Sequence, residues 1–163
     1  MKKTHEQYMN EALNQAHKAF DKGEVPIGAI IVDPDGVIIG SGYNEVEKRL
    51  TQTSHAEMIA LQKGSFYKSS WRLDQCVIYV TLEPCTMCFA AIALSRLKKV
   101  YYGAPSPVFG FHLDNDCFLS LYNNDALFVR GGIKESECKA LLTKFFKKKR
   151  ENNEFEKRDK KLR

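Results

Sequence analysis

His55-Ala56-Glu57 and Pro84-Cys85-Thr86-Met87-Cys88 are the stretches on which the reading of this chain turns. Together they supply one imidazole, two thiols three residues apart, and one carboxylate. An imidazole and two thiolates provide three of the four ligands of a tetrahedral zinc and leave the fourth position to water, the pattern of a catalytic rather than a structural site. Bound zinc lowers the pKa of such a water to about 7. Glu57, two residues from His55, is close enough to take that proton and pass it to a leaving group. His55, Cys85 and Cys88 are therefore candidate ligands of one Zn2+ per chain, and Glu57 is the candidate catalytic acid–base.

The ordinary readings of these residues are weaker. A lone CxxC can be a redox pair or half of a structural zinc site. No second CxxC and no HxxxH accompanies it, and Cys76, Cys117 and Cys138 stand alone in the sequence. A redox reading would also leave His55 and Glu57 without a task.

Local sequence agrees with the chemistry. Cys76-Val77-Ile78-Tyr79-Val80-Thr81 is β-branched and aromatic, a buried strand in prospect. Pro84 suits the first turn of a following helix, where its missing N–H costs nothing. Cys85 and Cys88 then share one face near the positive helix end, which favours the thiolate. Thr53 or Ser54 is expected to cap a second helix beginning near His55, with Met58, Ile59 and Leu61 as its apolar positions. Two helix starts converging on one ion is the expected geometry.

Working outward, Thr4 to Lys22 reads as a helix with Tyr8, Leu13, Ala16 and Phe20 as anchors and Gly23 as its stop. Val25 to Val32 and Val37 to Gly42 read as strands joined by the turn Asp33-Pro34-Asp35-Gly36. Lys99 to Gly103 is a further strand, Ala104 to about Asp125 is irregular, and Ala126 to Arg130 is a fifth strand. A final helix runs from Lys134 to about Lys149. The pattern predicts a central five-stranded sheet flanked by helices.

A chain of 163 residues suits one domain, expected over residues 1–150, with a basic, flexible tail over 151–163. The net charge is +5, yet residues 139–163 alone carry eleven Lys and Arg against four Asp and Glu, leaving residues 1–138 at −2. Such a segment either solubilises a terminus or meets a phosphate backbone. Five cysteines without disulfide-like spacing point to a reducing compartment. The Met-Lys-Lys-Thr-His-Glu start lacks a signal peptide's apolar stretch, and no run approaches the roughly 20 residues of a membrane span. The expectation is a soluble, cytoplasmic protein that meets no membrane.

The pattern H-x-E…P-C-x-x-C is the general signature of the zinc deaminases. Over nearly its full length the chain resembles the bacterial tRNA-specific adenosine deaminases of the cytidine deaminase-like superfamily. The resemblance is carried by Glu24-Val25-Pro26-Ile27-Gly28-Ala29, Asn44, Thr53 to Glu57, Trp71-Arg72-Leu73 and Thr81 to Cys88. Ser95-Arg96, Tyr102-Gly103-Ala104, Glu137 to Leu142 and Phe145-Phe146 continue it.

That resemblance implies a three-layer α/β/α cytidine deaminase-like fold with a central mixed five-stranded sheet. It implies conversion of adenosine to inosine at the wobble position of a tRNA anticodon, typically in an arginine tRNA, by a homodimer whose partner is the anticodon stem-loop. By position, His55, Cys85 and Cys88 would hold zinc, and zinc-bound hydroxide would add at C6 of adenine. Glu57 would protonate N1 and then the departing amine. Asn44 would hydrogen-bond the flipped base, the main chain around Ala56 would orient it, and Ile27 would wall the pocket. Read without the family, Asn44 is simply a turn residue after a strand, and Phe145 and Phe146 are core anchors.

The chain departs from the family between Pro105 and Val129, where relatives carry a Gly- and Ser-containing stretch and later an Asn-His-Arg element. Here stand Pro105-Ser106-Pro107-Val108-Phe109-Gly110-Phe111-His112 and Tyr122-Asn123-Asn124-Asp125. His112 reads either as a substitute RNA contact or as plain surface. Two other functions fit parts of the sequence. A deaminase of a free base or nucleoside, of guanine or cytosine type, would use the metal site but not the basic segment. A non-catalytic zinc-containing RNA-binding module would leave Glu57 idle.

Overall fold

Gly28-Ala29-Ile30-Ile31-Val32 carries no polar side chain, so as a strand it must be covered on both faces. All five residues are buried, as strand β1 (Gly28–Val32). The computed structural model describes residues 3–114 and 127–162. Around β1 the chain runs through α1 (His5–Asp21), β2 (Ile38–Tyr43), α2 (Val46–Arg49), α3 (Ala56–Lys68), β3 (Val77–Leu82) and α4 (Thr86–Leu94). Then follow β4 (Lys99–Ala104), a 3-10 turn (Phe111–Asp114), β5 (Phe128–Arg130) and the last helix, α5 (Glu135–Leu162).

The strands form one sheet in the order β2-β1-β3-β4-β5. β1 pairs antiparallel with β2 and β3, whereas β3, β4 and β5 run parallel. The expected mixed five-stranded sheet is therefore present. Asp33 closes the β1–β2 turn, its Oδ1 accepting the N–H groups of Asp35 at 3.0 Å and Val37 at 2.9 Å. A parallel β3–β4 pair needs a crossover, and α4 supplies it.

Alternation along the strands sorts two cores. Ala29, Ile31, Ile78, Val80 and Val100 pack with Ala56 and Ala60 of α3 and Phe89 and Ile92 of α4. Ile30, Val32, Tyr79 and Tyr101 pack on the other face with Met9, Ala12 and Leu13 of α1 and Cys138 and Leu141 of α5. Helices thus cover both faces of the sheet, giving three layers. Each fully buried Ile or Leu stabilises this arrangement by about 1.5–3 kcal/mol. At the start of α1, Thr4 and Gln7 form a reciprocal capping box, which fixes the first helix end.

Several boundaries shift from the sequence expectation. β1 begins at Gly28 rather than Val25, because Pro26 has no N–H for a ladder. The β3 strand spans Val77–Leu82, one residue later than read. The α5 backbone continues through Leu162, across residues 151–162, and the chain contains neither Gly nor Pro after Gly132 to stop it. The Tyr122-Asn123-Asn124-Asp125 stretch and Cys117 lie outside the described residues.

Candidate active site

The two signature stretches meet at the ends of two helices. His55 is the N-cap of α3 and Cys85 the N-cap of α4, both with extended backbone (φ −69°, ψ 154° and φ −72°, ψ 166°). This corrects the expectation that Thr53 or Ser54 caps α3 and that Pro84 lies in the first turn of α4. Neither N-cap side chain makes a regular capping hydrogen bond, which forgoes about 1 kcal/mol of capping each. Instead both side chains turn toward one point between the helix ends.

His55 Nδ1 lies 3.7 Å from Cys85 Sγ and 3.4 Å from Cys88 Sγ. All three ligand atoms fall within 4.8 Å of one another. Bonds of about 2.3 Å to sulfur and about 2.0 Å to nitrogen, at a tetrahedral angle, would put N and S about 3.5 Å apart. The spacing fits a small tetrahedral cation without rearrangement.

The proton distribution gives a second test of that fit. A hydrogen bond from Cys88, aided by His55, holds the Cys85 thiol down at about 4. Cys88 is pushed well up, chiefly by its hydrogen bond to Cys85 and by burial. Two adjacent thiolates repel, so one proton is retained between them. A divalent cation would take both sulfurs as thiolates and remove the conflict. His55 is raised, mainly through its hydrogen bond with Cys85.

Glu57, in the first turn of α3, is only 4% exposed. Burial pushes its carboxyl up to about 7, into the range where a group both takes and releases protons at neutral pH. It stands beside the His/Cys/Cys cluster without belonging to it.

These residues line a cleft of about 800 Å³, toward the upper end of ordinary small-molecule sites (roughly 300–1,000 Å³). Ile27, Asn44, His55, Glu57 and Cys85 all contribute to it. Asn44 is 5% exposed, and its Oδ1 is buried without a hydrogen-bond partner among the described residues. Ala56 is fully buried in the core and is not among the residues that line the cleft. Of the paired aromatics, Phe145 is buried beside Phe20, while Phe146 is 45% exposed and lines the cleft.

Other residues matter that sequence reasoning assigned no task. The buried Glu24 accepts the N–H groups of Glu47 at 3.2 Å and Lys48 at 2.8 Å, which fixes the short helix α2 just after Asn44. Glu83 is buried at the end of β3, and Pro105 to Gly110 form a wall of the cleft. A carboxylate within an apolar strand end was the one available signal for Glu83, because such a group must be paired when buried.

Fold and site define a deaminase of the cytidine deaminase-like class. The family profile of the cytidine and deoxycytidylate deaminase zinc-binding region matches residues 2–104. The tRNA-specific adenosine deaminase of Bacillus subtilis is 42% identical over 147 residues, covering 89% of this chain and 90% of the relative. A structure solved in a study of A-to-I editing by tRNA:A34 deaminases at the wobble position of transfer RNA superposes with a TM-score of 0.77 at 37% identity, covering 83% of this chain and 99% of that one. The guanine deaminase of Bacillus subtilis is more distant, with a TM-score of 0.62 at 33% identity over 70% of this chain and 76% of that one. The chain belongs to the tRNA-specific adenosine deaminase family.

Proposed function

We propose that this protein hydrolyses adenosine to inosine at the wobble position of a tRNA anticodon, in an arginine tRNA, with release of ammonia. The observation that carries this reading is a buried proton carrier, Glu57, set beside the His55/Cys85/Cys88 cluster in a cleft large enough for a nucleotide. The identity to a tRNA-specific adenosine deaminase over 89% of the chain supports the choice of substrate.

His55, Cys85 and Cys88 would hold zinc, which when bound is a Lewis acid that brings the pKa of a water to about 7. Glu57 takes one proton of the attacking water on its carboxylate and gives it to N1 of adenine. It then takes the proton of the new C6 hydroxyl and passes it to the C6 amine, which leaves as ammonia as the C6–N bond breaks and C6=O forms. Ile27 packs on the flipped base, and the Ala56 main chain at the N-terminus of α3 helps orient it. Asn44 offers Oδ1, which in a closed complex would gain the donor it otherwise lacks.

Asn44→Ala is expected to lower kcat/KM about tenfold, the loss of one hydrogen bond worth about 1.4 kcal/mol. Single-turnover kinetics on a stem-loop would read it, and an unchanged value would remove Asn44 from the site.

No helix among the described residues is long and apolar enough to cross a membrane, which accords with a cytoplasmic tRNA-modifying enzyme. Phe66, Tyr67 and Trp71 are exposed by 59–75% and offer apolar surface to the homodimer that belongs to this reading.

Product analysis tests the whole. The zinc-loaded protein is mixed with an arginine tRNA transcript bearing an ACG anticodon, and in parallel with free adenosine, guanine and cytidine. Inosine at the wobble position, with a rate that falls as salt rises, is the expected result. Deamination of a free base alone, indifferent to salt, would move the protein to the free-base class.

A further inference from the structure

The segment from Ser106 to His112 is tied to the turn that carries Cys85. Glu83 has a side chain only 1% exposed, and three donors from one short stretch converge on it. Ser106 N–H donates to Oε2 at 2.9 Å, while the N–H and the ring Nδ1 of His112 reach Oε1 at 3.4 and 2.5 Å. With Oε1 of Glu83 as the acceptor, His112 Nδ1–H is the donor in this bond.

The same stretch is sewn to the turn that carries Cys85. Gly110 and Cys85 form an isolated antiparallel bridge, Phe111 N–H donates to Pro84 O at 3.0 Å, and the Phe111 ring stacks on Phe89 of α4 at 4.0 Å. A Cβ at position 110 would come within 2.6 Å of the Glu83 carboxyl carbon, so only glycine lets the strap lie this close.

What the strap holds up is apolar. Pro107, Val108 and Phe109 line the cleft, yet Val108 is 66% and Phe109 75% exposed. Leu142 and Phe146 of α5 line the same cleft, and residues 139–150 of that helix carry six Lys and Arg and no Asp or Glu. An exposed aromatic ring on a cleft that a cation-rich helix also lines is the chemistry of single-stranded nucleic-acid binding, in which unpaired bases stack and phosphates meet Lys and Arg.

We propose that Phe109 stacks on an unpaired base next to the reacting nucleotide, and that His112, through Glu83, is the positioning residue that holds the Phe109 segment in place. This rests on the reading of the cleft as a tRNA site and deepens it. His112 then touches no substrate, neither as an RNA contact nor as idle surface.

The test uses full-length protein loaded with zinc and an anticodon stem-loop as substrate. Phe109→Ala is expected to raise KM about tenfold, within the range for loss of one base–aromatic stack, with kcat within about twofold and zinc content unchanged. His112→Ala should raise KM similarly, and His112→Asn, whose amide N–H can replace Nδ1–H, should restore most of it. Because His112 acts only through Phe109, the double variant should resemble Phe109→Ala rather than multiply the two effects.

An unchanged KM in Phe109→Ala, which alters an exposed side chain and leaves the fold intact, would overturn the proposal. So would a fully multiplicative double variant. If the wild-type protein does not deaminate the stem-loop at all, the functional reading itself fails. If it does, and the variants match it, only the stacking proposal fails.

Discussion

Replacing Glu57 by Gln is expected to lower kcat by about 10²–10⁴-fold, the usual contribution of a placed general acid–base, while zinc content stays at one per chain. Gln keeps the shape of the side chain but cannot carry a proton. Metal binding should survive because the cluster of ligand atoms consists of His55, Cys85 and Cys88 and does not include Glu57. Stability should not suffer either. Burial works against the ionised form of Glu57, and a neutral isostere removes that cost. Cys88→Ala should behave differently, losing metal and activity together, because two ligands hold zinc far less tightly than three. Metal analysis, a thermal melt and single-turnover deamination separate these cases. Loss of zinc in Glu57→Gln would make Glu57 a ligand, and retained turnover would remove it from proton transfer.

The site was legible because its chemistry is written locally. Cys85 and Cys88 have the i,i+3 spacing that shares a helix face, and His55 and Glu57 stand only two residues apart at one helix start. β-Branched and aromatic runs such as Cys76 to Thr81 marked the strands, and the order of strand and helix signals marked a sheet flanked by helices. What sequence did not disclose depends on contacts between distant segments. His55 caps α3 in place of Thr53 or Ser54, and Pro84 precedes the N-cap Cys85 instead of lying in the first turn of α4, while the His55 and Cys85 side chains approach each other across 30 residues. Asn44 could not be told from a turn residue until its burial and its orphaned Oδ1 were visible. The Glu83–His112 pair spans 29 residues and has no spacing rule that would find it. The end of α5 was misplaced for another reason. A charged stretch was read as a tail, although nothing in it breaks a helix.

The seat of α3 on the sheet leads to the largest expected effect on stability. Gly40 and Gly42 of β2 lie directly under the helix that carries His55 and Glu57. A Cβ at Gly42 would stand 2.3 Å from Ala56 O and 2.8 Å from Ala60 N, and one at Gly40 would stand 2.3 Å from Ala60 O. These neighbours are backbone atoms and cannot rotate away. Ordinary contact would require α3 to lift by about 1 Å, and overpacking of this kind costs about 3 kcal/mol at the upper end of the usual range. For a chain of this length that corresponds to a fall in Tm of about 6–12 °C. Gly42→Ala should also lower kcat/KM about 100-fold in the surviving folded protein, since a 1 Å displacement of catalytic groups is worth about that much.

Gly64→Ala supplies the contrast, because it lies on the same helix. Its nearest neighbour would be the Ile31 Cδ1 methyl at 3.3 Å, the far end of a side chain that can give way. Alanine also favours a helix interior over glycine by about 0.5–1 kcal/mol, so Gly64→Ala should change Tm by no more than a few degrees and leave activity intact. Calorimetry and kinetics on the two variants decide the matter. If Gly42→Ala were as stable and active as wild type, α3 would not be fixed by close contact with β2, and the placement of His55 and Glu57 would need another cause.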